Sequence, residues 1–215
     1  VPLLLCTGAE APPATRPADA VVLFDGTQAS LDANWVSRNA GKPADWLVGD
    51  GAMLSRTADI VTKRTFGDFT LHVEFNEPAL PDTVKGQARG NSGVYLQGRY
   101  EIQVLDSYGI DPPTKGDCGA IYNQAAPAVN ACLPPGQWQS YDIRFSAAKY
   151  DADGKRTAAP RVTVVQNGKT IQNDVAIEHV TGSELLKDGP ADGPILLQFH
   201  HNGVRFRNVW IVPHQ

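Results

Sequence analysis

No run in the 215-residue sequence approaches the ~20 consecutive apolar residues that carry a helix across a bilayer, so no membrane-spanning helix is expected. Charge is also sparse and balanced. Lys and Arg number 19 against 23 Asp and Glu, for a formal net charge of −4. The basic residues are scattered rather than gathered in a stripe, which sets nucleic acid aside as a partner. Long amphipathic helical patterns are missing, and residues 182–187 are the best place for a turn or two of helix. There is no internal repeat and no second composition regime. The three cysteines lack the closely spaced Cys/His pairs of a zinc site.

What is present is a chain punctuated by 20 Gly and 16 Pro, with short alternating segments between them. Hydrophobic residues make up 42%, enough to bury a real core. Residues 1–19 are rich in Pro and Ala and read as a signal-peptide remnant and linker. The apolar residues 2–5 are followed by Ala9-Glu10-Ala11, which resembles an export cleavage site. Cys6 follows the bulky Leu5, which disfavours lipid anchoring relative to plain export. The expected destination is secreted or periplasmic. Residues 20–215 then form a single domain.

The strands announce themselves by period-two alternation. In 69–75 the odd positions are apolar and the even ones polar. Val94 and Leu96 alternate with Tyr95 and Gln97; Ile102 and Val104 with Glu101 and Gln103. Tyr141, Ile143 and Phe145 alternate with Ser140, Asp142 and Arg144. Leu197 and Phe199 oppose Gln198 and His200, and in the last strand Arg205 and Arg207 oppose Phe206 and Trp210. Segments 161–166 and 169–175 flank Asn167-Gly168, the pair suited to a type I′ hairpin, whose central residues both need positive φ. Many short antiparallel strands imply an all-β sandwich or jelly roll of two antiparallel sheets.

The polar faces of these strands are unusual in kind. His72, Glu74, Tyr95, Gln97, Glu101, Gln103, Gln198, His200 and Arg205 carry planar or titratable hydrogen-bonding heads. If their strands are neighbours they make a polar floor suited to hydroxyl-rich ligands; if not, they are unrelated surface residues. Among the tryptophans, Trp210 alternates inward and reads as core, while Trp46 is the better candidate for stacking on a sugar ring. Cys118 and Cys132 lie 14 positions apart and either close a disulfide in an oxidising compartment or stay as buried thiols; the disulfide is the expectation.

Several long motifs occur in order: Leu23-Phe24-Asp25-Gly26, Gly90-Asn91-Ser92-Gly93-Val94-Tyr95-Leu96-Gln97-Gly98-Arg99-Tyr100-Glu101-Ile102-Gln103-Val104-Leu105-Asp106-Ser107, Cys118-Gly119-Ala120-Ile121-Tyr122, Pro134-Pro135-Gly136-Gln137-Trp138-Gln139-Ser140-Tyr141-Asp142, and Val204-Arg205-Phe206-Arg207-Asn208-Val209-Trp210-Ile211. Together, over 21–212, they resemble the 3-keto-disaccharide hydrolase domain family. The resemblance implies a concanavalin-like, laminarinase-like β-jelly-roll and an exported bacterial protein acting on glycosides oxidised at C3. A sugar 3-dehydrogenase would act beforehand in the same pathway. Where that family usually reads Leu-Gln-Asp-His-Gly, this chain has Leu197-Gln198-Phe199-His200-His201.

A C3 ketone acidifies the proton at C2, so cleavage needs a base there and an acid for the leaving oxygen. Glu101 and His200 are the expected catalytic pair. Glu74, Tyr95, Gln97, Gln103, Gln198 and Arg205 are the expected substrate contacts. His72 and Asp106 are candidate ligands for a divalent metal, calcium or a transition metal, with Glu74 and His200 able to join His72. The competing readings are a carbohydrate-binding module without turnover and an exported structural domain, since one fold serves all three.

Overall fold

The computed structural model describes residues 15–39 and 41–214. Cys6 and the cleavage-like Ala9-Glu10-Ala11 lie outside the described residues. With strands numbered in chain order, two antiparallel sheets form a jelly-roll sandwich. The larger runs β13 (Lys169–Ala176), β12 (Arg161–Gln166), β9 (Gln139–Ser146), β6 (Phe69–Asn76), β15 (Arg205–Pro213), β4 (Ala52–Leu54) and β3 (Leu47–Gly49), with β1 (Val21–Phe24) also paired to β15. The smaller runs β2 (Trp35–Ser37), β5 (Ile60–Thr62), β14 (Leu196–Leu197), β7 (Ser92–Leu96) and β8 (Tyr100–Val104). A ribbon of β10 (Lys149–Tyr150) and β11 (Arg156–Ala158) stands apart.

Alternation assigns the faces. Phe69, Leu71, Val73 and Phe75 of β6 and Tyr141, Ile143 and Phe145 of β9 point into the sandwich and are fully buried. Val94, Leu96, Ile102 and Val104 meet them from the smaller sheet, in one continuous apolar cluster. Each such side chain contributes about 1.5–3 kcal/mol by leaving water. The β12–β13 hairpin turns at Asn167 (φ 51°) and Gly168 (φ 78°), the left-handed pair that Asn-Gly supplies.

Three local expectations are corrected. Residues 182–187 are not helical; they form an irregular strap over the smaller sheet. The helix is α1 (Gln28–Asn34), capped by Thr27, whose hydroxyl accepts from the Ser30 N–H at 3.1 Å. Trp46 is buried and stacks on Phe206 with centroids 5.7 Å apart, so it is core rather than a sugar platform. Trp210 is buried, but on the outer face of the larger sheet, where it stacks on His72 at 4.9 Å. The reason is a bulge in β15 between Arg207 and Trp210, with Asn208 at φ 46°. One extra residue inverts the alternation beyond it, so Val209 and Ile211 turn inward instead.

Candidate functional site

The outer face of the smaller sheet carries the site. Because Val94, Leu96, Ile102 and Val104 point into the core, the alternate residues Gly93, Tyr95, Glu101 and Gln103 point away from it. Register pairs Tyr95 with Glu101 and Gly93 with Gln103. Next to β7, Leu196 pairs with Tyr95, which places Gln198 on the same face. Gly93 is required here: a Cβ at that position would lie 2.4 Å from Glu101 Oε1, so the bare backbone makes room for the carboxyl group.

Glu101 is only 4% exposed. Burial pushes its carboxyl up to about 8, against the opposing effect of the Tyr95 hydrogen bond and with help from the negative charge of Asp59. Tyr95 Oη lies 2.9 Å from both Glu101 Oε2 and the Gly182 carbonyl oxygen. A phenol has one proton. When Glu101 is ionised, Tyr95 donates to the carboxylate. When Glu101 is protonated, the acid can donate to Tyr95 Oη, which frees the phenol to donate to Gly182. The Gln198 side-chain amide also donates to Tyr95 Oη, at 3.2 Å. Glu101 and Tyr95 can thus shift a proton between them, with the Gln198 amide a fixed donor beside them.

Two acceptors on this face are left over. Gln103 Nε2 donates to Gln87 Oε1 at 2.9 Å, but Gln103 Oε1 is buried and has no partner among the described residues. The same holds for Gln198 Oε1. A buried unpaired carbonyl is destabilising by about 1–3 kcal/mol; a ligand hydroxyl would relieve that. The strap closes the face from above. The Thr181 hydroxyl accepts from the Glu101 N–H at 2.9 Å, Tyr95 holds Gly182, and Arg38 donates to the carbonyls of Ser183 and Glu184 at 2.9 Å each. Arg38 also pairs with Asp59 at 2.9 Å, and Asp59 accepts from the Phe199 N–H at 2.9 Å.

Of the residues singled out from sequence, Tyr95, Glu101, Gln103 and Gln198 come together. The others do not join them. Gln97 (φ 54°) sits in the β7–β8 turn, where its side-chain amide donates to the Phe66 carbonyl at 2.9 Å. His72, Glu74 and Arg205 lie on the outer face of the opposite sheet. There His72 Nδ1 is 2.7 Å from Asp142 and Nε2 is 3.5 Å from Glu74. Arg207 and Asn208 donate to Glu74 at 2.6 and 2.8 Å. Burial opposes ionisation of Glu74, yet hydrogen bonds from His72, Asn208 and Arg207 prevail and hold it down at about 2. Arg205 lies over the Trp138 ring.

His200 is exposed on the loop after β14, two residues beyond Gln198. Among the described residues its ring makes no hydrogen bond to the floor; its carbonyl accepts from Asn202. Phe199 turns back to pack against the core. Asp106 is an ion-pair partner of Arg89, with contacts of 2.5 and 3.0 Å. His72 and Asp106 thus belong to opposite layers, and His200 lies on the loop that leads from β14 of the smaller sheet to β15 of the larger. Among the described residues no group of three His, Cys, Asp or Glu side chains converges as metal ligands would.

Cys118 and Cys132, the expected disulfide pair, are neighbours here as free thiols, and burial, helped by Cys132, pushes the Cys118 thiol up. Gln166 Nε2 stands 3.5 and 3.4 Å from the two sulfurs, and Cys118 Sγ also meets the Tyr141 hydroxyl at 3.0 Å. Each sulfur therefore has a polar partner other than its neighbour. The sequence reading missed Asp59, Arg38, Gln87 and Thr181, which reach the site from distant segments. Only Gly93 had a local signal, as a glycine inside an alternating strand.

A family profile described as the 3-keto-alpha-glucoside-1,2-lyase-like domain matches residues 19–212. Among solved structures, a Parabacteroides distasonis protein assigned as a glycosyl hydrolase is 40% identical, with a TM-score of 0.81 covering 93% of this chain and 86% of the other. A second protein of that organism, also assigned as a glycosyl hydrolase, shares the fold at 21% identity, with a TM-score of 0.61 covering 92% of this chain and 94% of the other. No curated protein matches the chain.

Proposed function

Because the chain belongs to the 3-keto-alpha-glucoside-1,2-lyase-like domain family, we propose that it cleaves glycosides whose sugar carries a ketone at C3, with Glu101 as the acid–base group. The coarse reading is a carbohydrate-active protein that cleaves glycosidic bonds, supported by the family and by the relative 40% identical to it. The single observation that carries the finer one is a buried carboxyl poised at about 8, hydrogen-bonded to Tyr95 and flanked by unpaired amide carbonyls.

The ionised carboxylate of Glu101 takes the C2 proton, and the electrons of that C–H bond form the enolate of the C3 ketone. The enolate then reverts to the ketone, a C1–C2 double bond forms, and the C1–O bond breaks. The proton now on Glu101 passes to the departing oxygen. Water adds back across the double bond, oxygen to C1 and proton to C2. Glu101 is suited to both halves because its midpoint lies near working pH, where an acid–base group contributes about 10²–10⁴-fold. Tyr95 follows the proton by switching its own donation between Glu101 and Gly182. Gln103 and Gln198 accept sugar hydroxyls. His200, at the margin of the floor, assists the leaving group if the loop brings it inward. No step is routed through a metal.

This reading calls for a carbonyl-forming step upstream, a sugar 3-dehydrogenase, and for a secreted or periplasmic setting where oxidised glycosides are met. Among the described residues no helix is long and apolar enough to cross a membrane. A second reading, carbohydrate binding without turnover, draws support from Phe199 in place of the family's usual Asp and from the exposed position of His200. The test is turnover of a chromogenic 3-keto-glucoside and of its unoxidised parent, with and without chelator, for the native chain and Glu101→Gln. Cleavage of the keto sugar alone, abolished in the variant, is expected; loss of that cleavage with chelator would show that a divalent metal takes part. Binding of the sugar without cleavage of either would favour the second reading.

A further inference from the structure

Beside the polar floor lies a cleft of about 740 Å³, lined by Val36, Val61, Leu185 and Pro43 among others. We propose that this cleft is the subsite for an apolar leaving group, an aryl or alkyl aglycone, of the glycoside whose sugar ring meets Glu101; the proposal rests on the functional reading above and names its substrate class.

Val36 pairs with Val61, Val61 with Leu196, Leu196 with Tyr95, and Tyr95 with Glu101. These residues form one row across five strands on one face of the sheet. Neighbouring strands lie about 4.8 Å apart, so Val61 stands about 14 Å from Glu101 measured along the backbones. That span suits one sugar ring joined to one aromatic ring. Tyr95 connects the two halves: its hydroxyl bonds Glu101, and its side chain packs with Val61 and Leu196, with Val36 and Leu185 against them. Leu185 comes from the strap and roofs the junction.

The chemistry of the row changes along its length. At the Glu101 end are a carboxyl group, a phenol and two amide carbonyls. At the Val36 end the sheet itself offers branched aliphatic carbon, with Ser37, Arg38, Lys42, Lys63 and Asp32 around it in the cleft wall. A second sugar laid on Val36, Val61 and Leu185 would turn one face of hydroxyls to surface that cannot pair them, whereas an apolar group removes that surface from water. Two of the three cations in the wall are engaged elsewhere, Arg38 with Asp59 and the strap carbonyls and Lys63 with the Asp32 carbonyl; Lys42 is the third.

The cleft is probed alone with 4-nitrophenol by equilibrium dialysis, using the native chain, Val61→Thr, which keeps the β-branched shape, and Leu185→Ala, which lies outside the strands. Saturable binding that weakens in each variant, by about ten-fold for the pair together, is expected. No saturable binding, or binding that both variants leave unchanged, overturns the subsite. In parallel, kcat/KM is compared for a 4-nitrophenyl 3-keto-glucoside and a 3-keto-disaccharide. The double variant should lose about ten-fold on the aryl substrate through KM and little on the disaccharide. Equal losses on both overturn the subsite and leave the functional reading intact. Absence of turnover on either substrate in the native chain overturns the functional reading instead, and the dialysis result still decides the cleft.

Discussion

Replacing Glu101 by glutamine keeps the length and the hydrogen-bonding shape of the side chain while removing its proton. In the folded chain the carboxyl is held near 8 by burial and by the charge of Asp59, although its ordinary value is 4.5. The unfolded chain therefore ionises this group first as pH rises. Between about pH 4.5 and pH 8 the folded state binds a proton that the unfolded state has released, so folding is progressively destabilised across that window and the penalty levels off above it. Each tenfold change in proton affinity is worth about 1.4 kcal/mol, which sets an upper bound of about 5 kcal/mol on the penalty; water reaching the carboxyl lowers this to about 2–3 kcal/mol. Glu101→Gln removes the penalty. Its amide can also donate to Tyr95 Oη, as the neutral acid does. The variant should match the native chain in urea unfolding at pH 4 and exceed it by about 2–3 kcal/mol at pH 9, while losing turnover. Stability differences that are the same at both pH values would refute the reasoning, because they would show that the carboxyl titrates normally in the folded chain.

Three other outcomes follow from the same geometry. Tyr95→Phe removes the hydrogen bond that opposes the rise in Glu101's midpoint, so the ascending limb of the activity–pH profile should move to higher pH and turnover should fall by about ten-fold or more; an unmoved limb counts against the pairing. Gly93→Ala drives a methyl group into the Glu101 carboxyl, and should reduce kcat sharply with a circular dichroism spectrum like that of the native chain. Glu74→Gln, on the opposite face, should leave turnover unchanged while lowering stability at neutral pH by about 2 kcal/mol. Glu74 is held at about 2 in the fold, so its contribution is complete above the ordinary carboxylate range and is lost as pH falls through 2; unfolding curves at pH 7 and pH 2 check the sign.

The fold was legible because alternation is a local property. Segments 69–75 and 141–145 showed their inward faces directly, and Asn167-Gly168 announced its hairpin. What alternation cannot show is which sheet a strand joins. His72, Glu74 and Glu101 share the same pattern, yet β6 lies in one layer and β8 in the other, so one imagined floor became two faces. Trp210 was misplaced because a single left-handed residue, Asn208, reverses the pattern after it. The Glu101–Tyr95 pair was half legible: both residues lie on one hairpin and face the same way. The strap, Asp59 and Arg38 were not legible, since they reach the site from segments whose contacts depend on tertiary packing alone. The spacing of Cys118 and Cys132 brought the two sulfurs together on paper, and they are neighbours in the fold, but it said nothing of the Gln166 amide that contacts both.

The role proposed for Glu101 is to break the C2–H bond of an oxidised sugar. The measurement that tests it most directly is proton NMR of a 3-keto-glucoside turned over in D2O. Glycoside cleavage with deuterium at C2 of the released 3-keto sugar is expected, and neither cleavage nor exchange at C2 with Glu101→Gln. Cleavage that leaves the original proton at C2, or exchange and cleavage that persist in the variant, would contradict it.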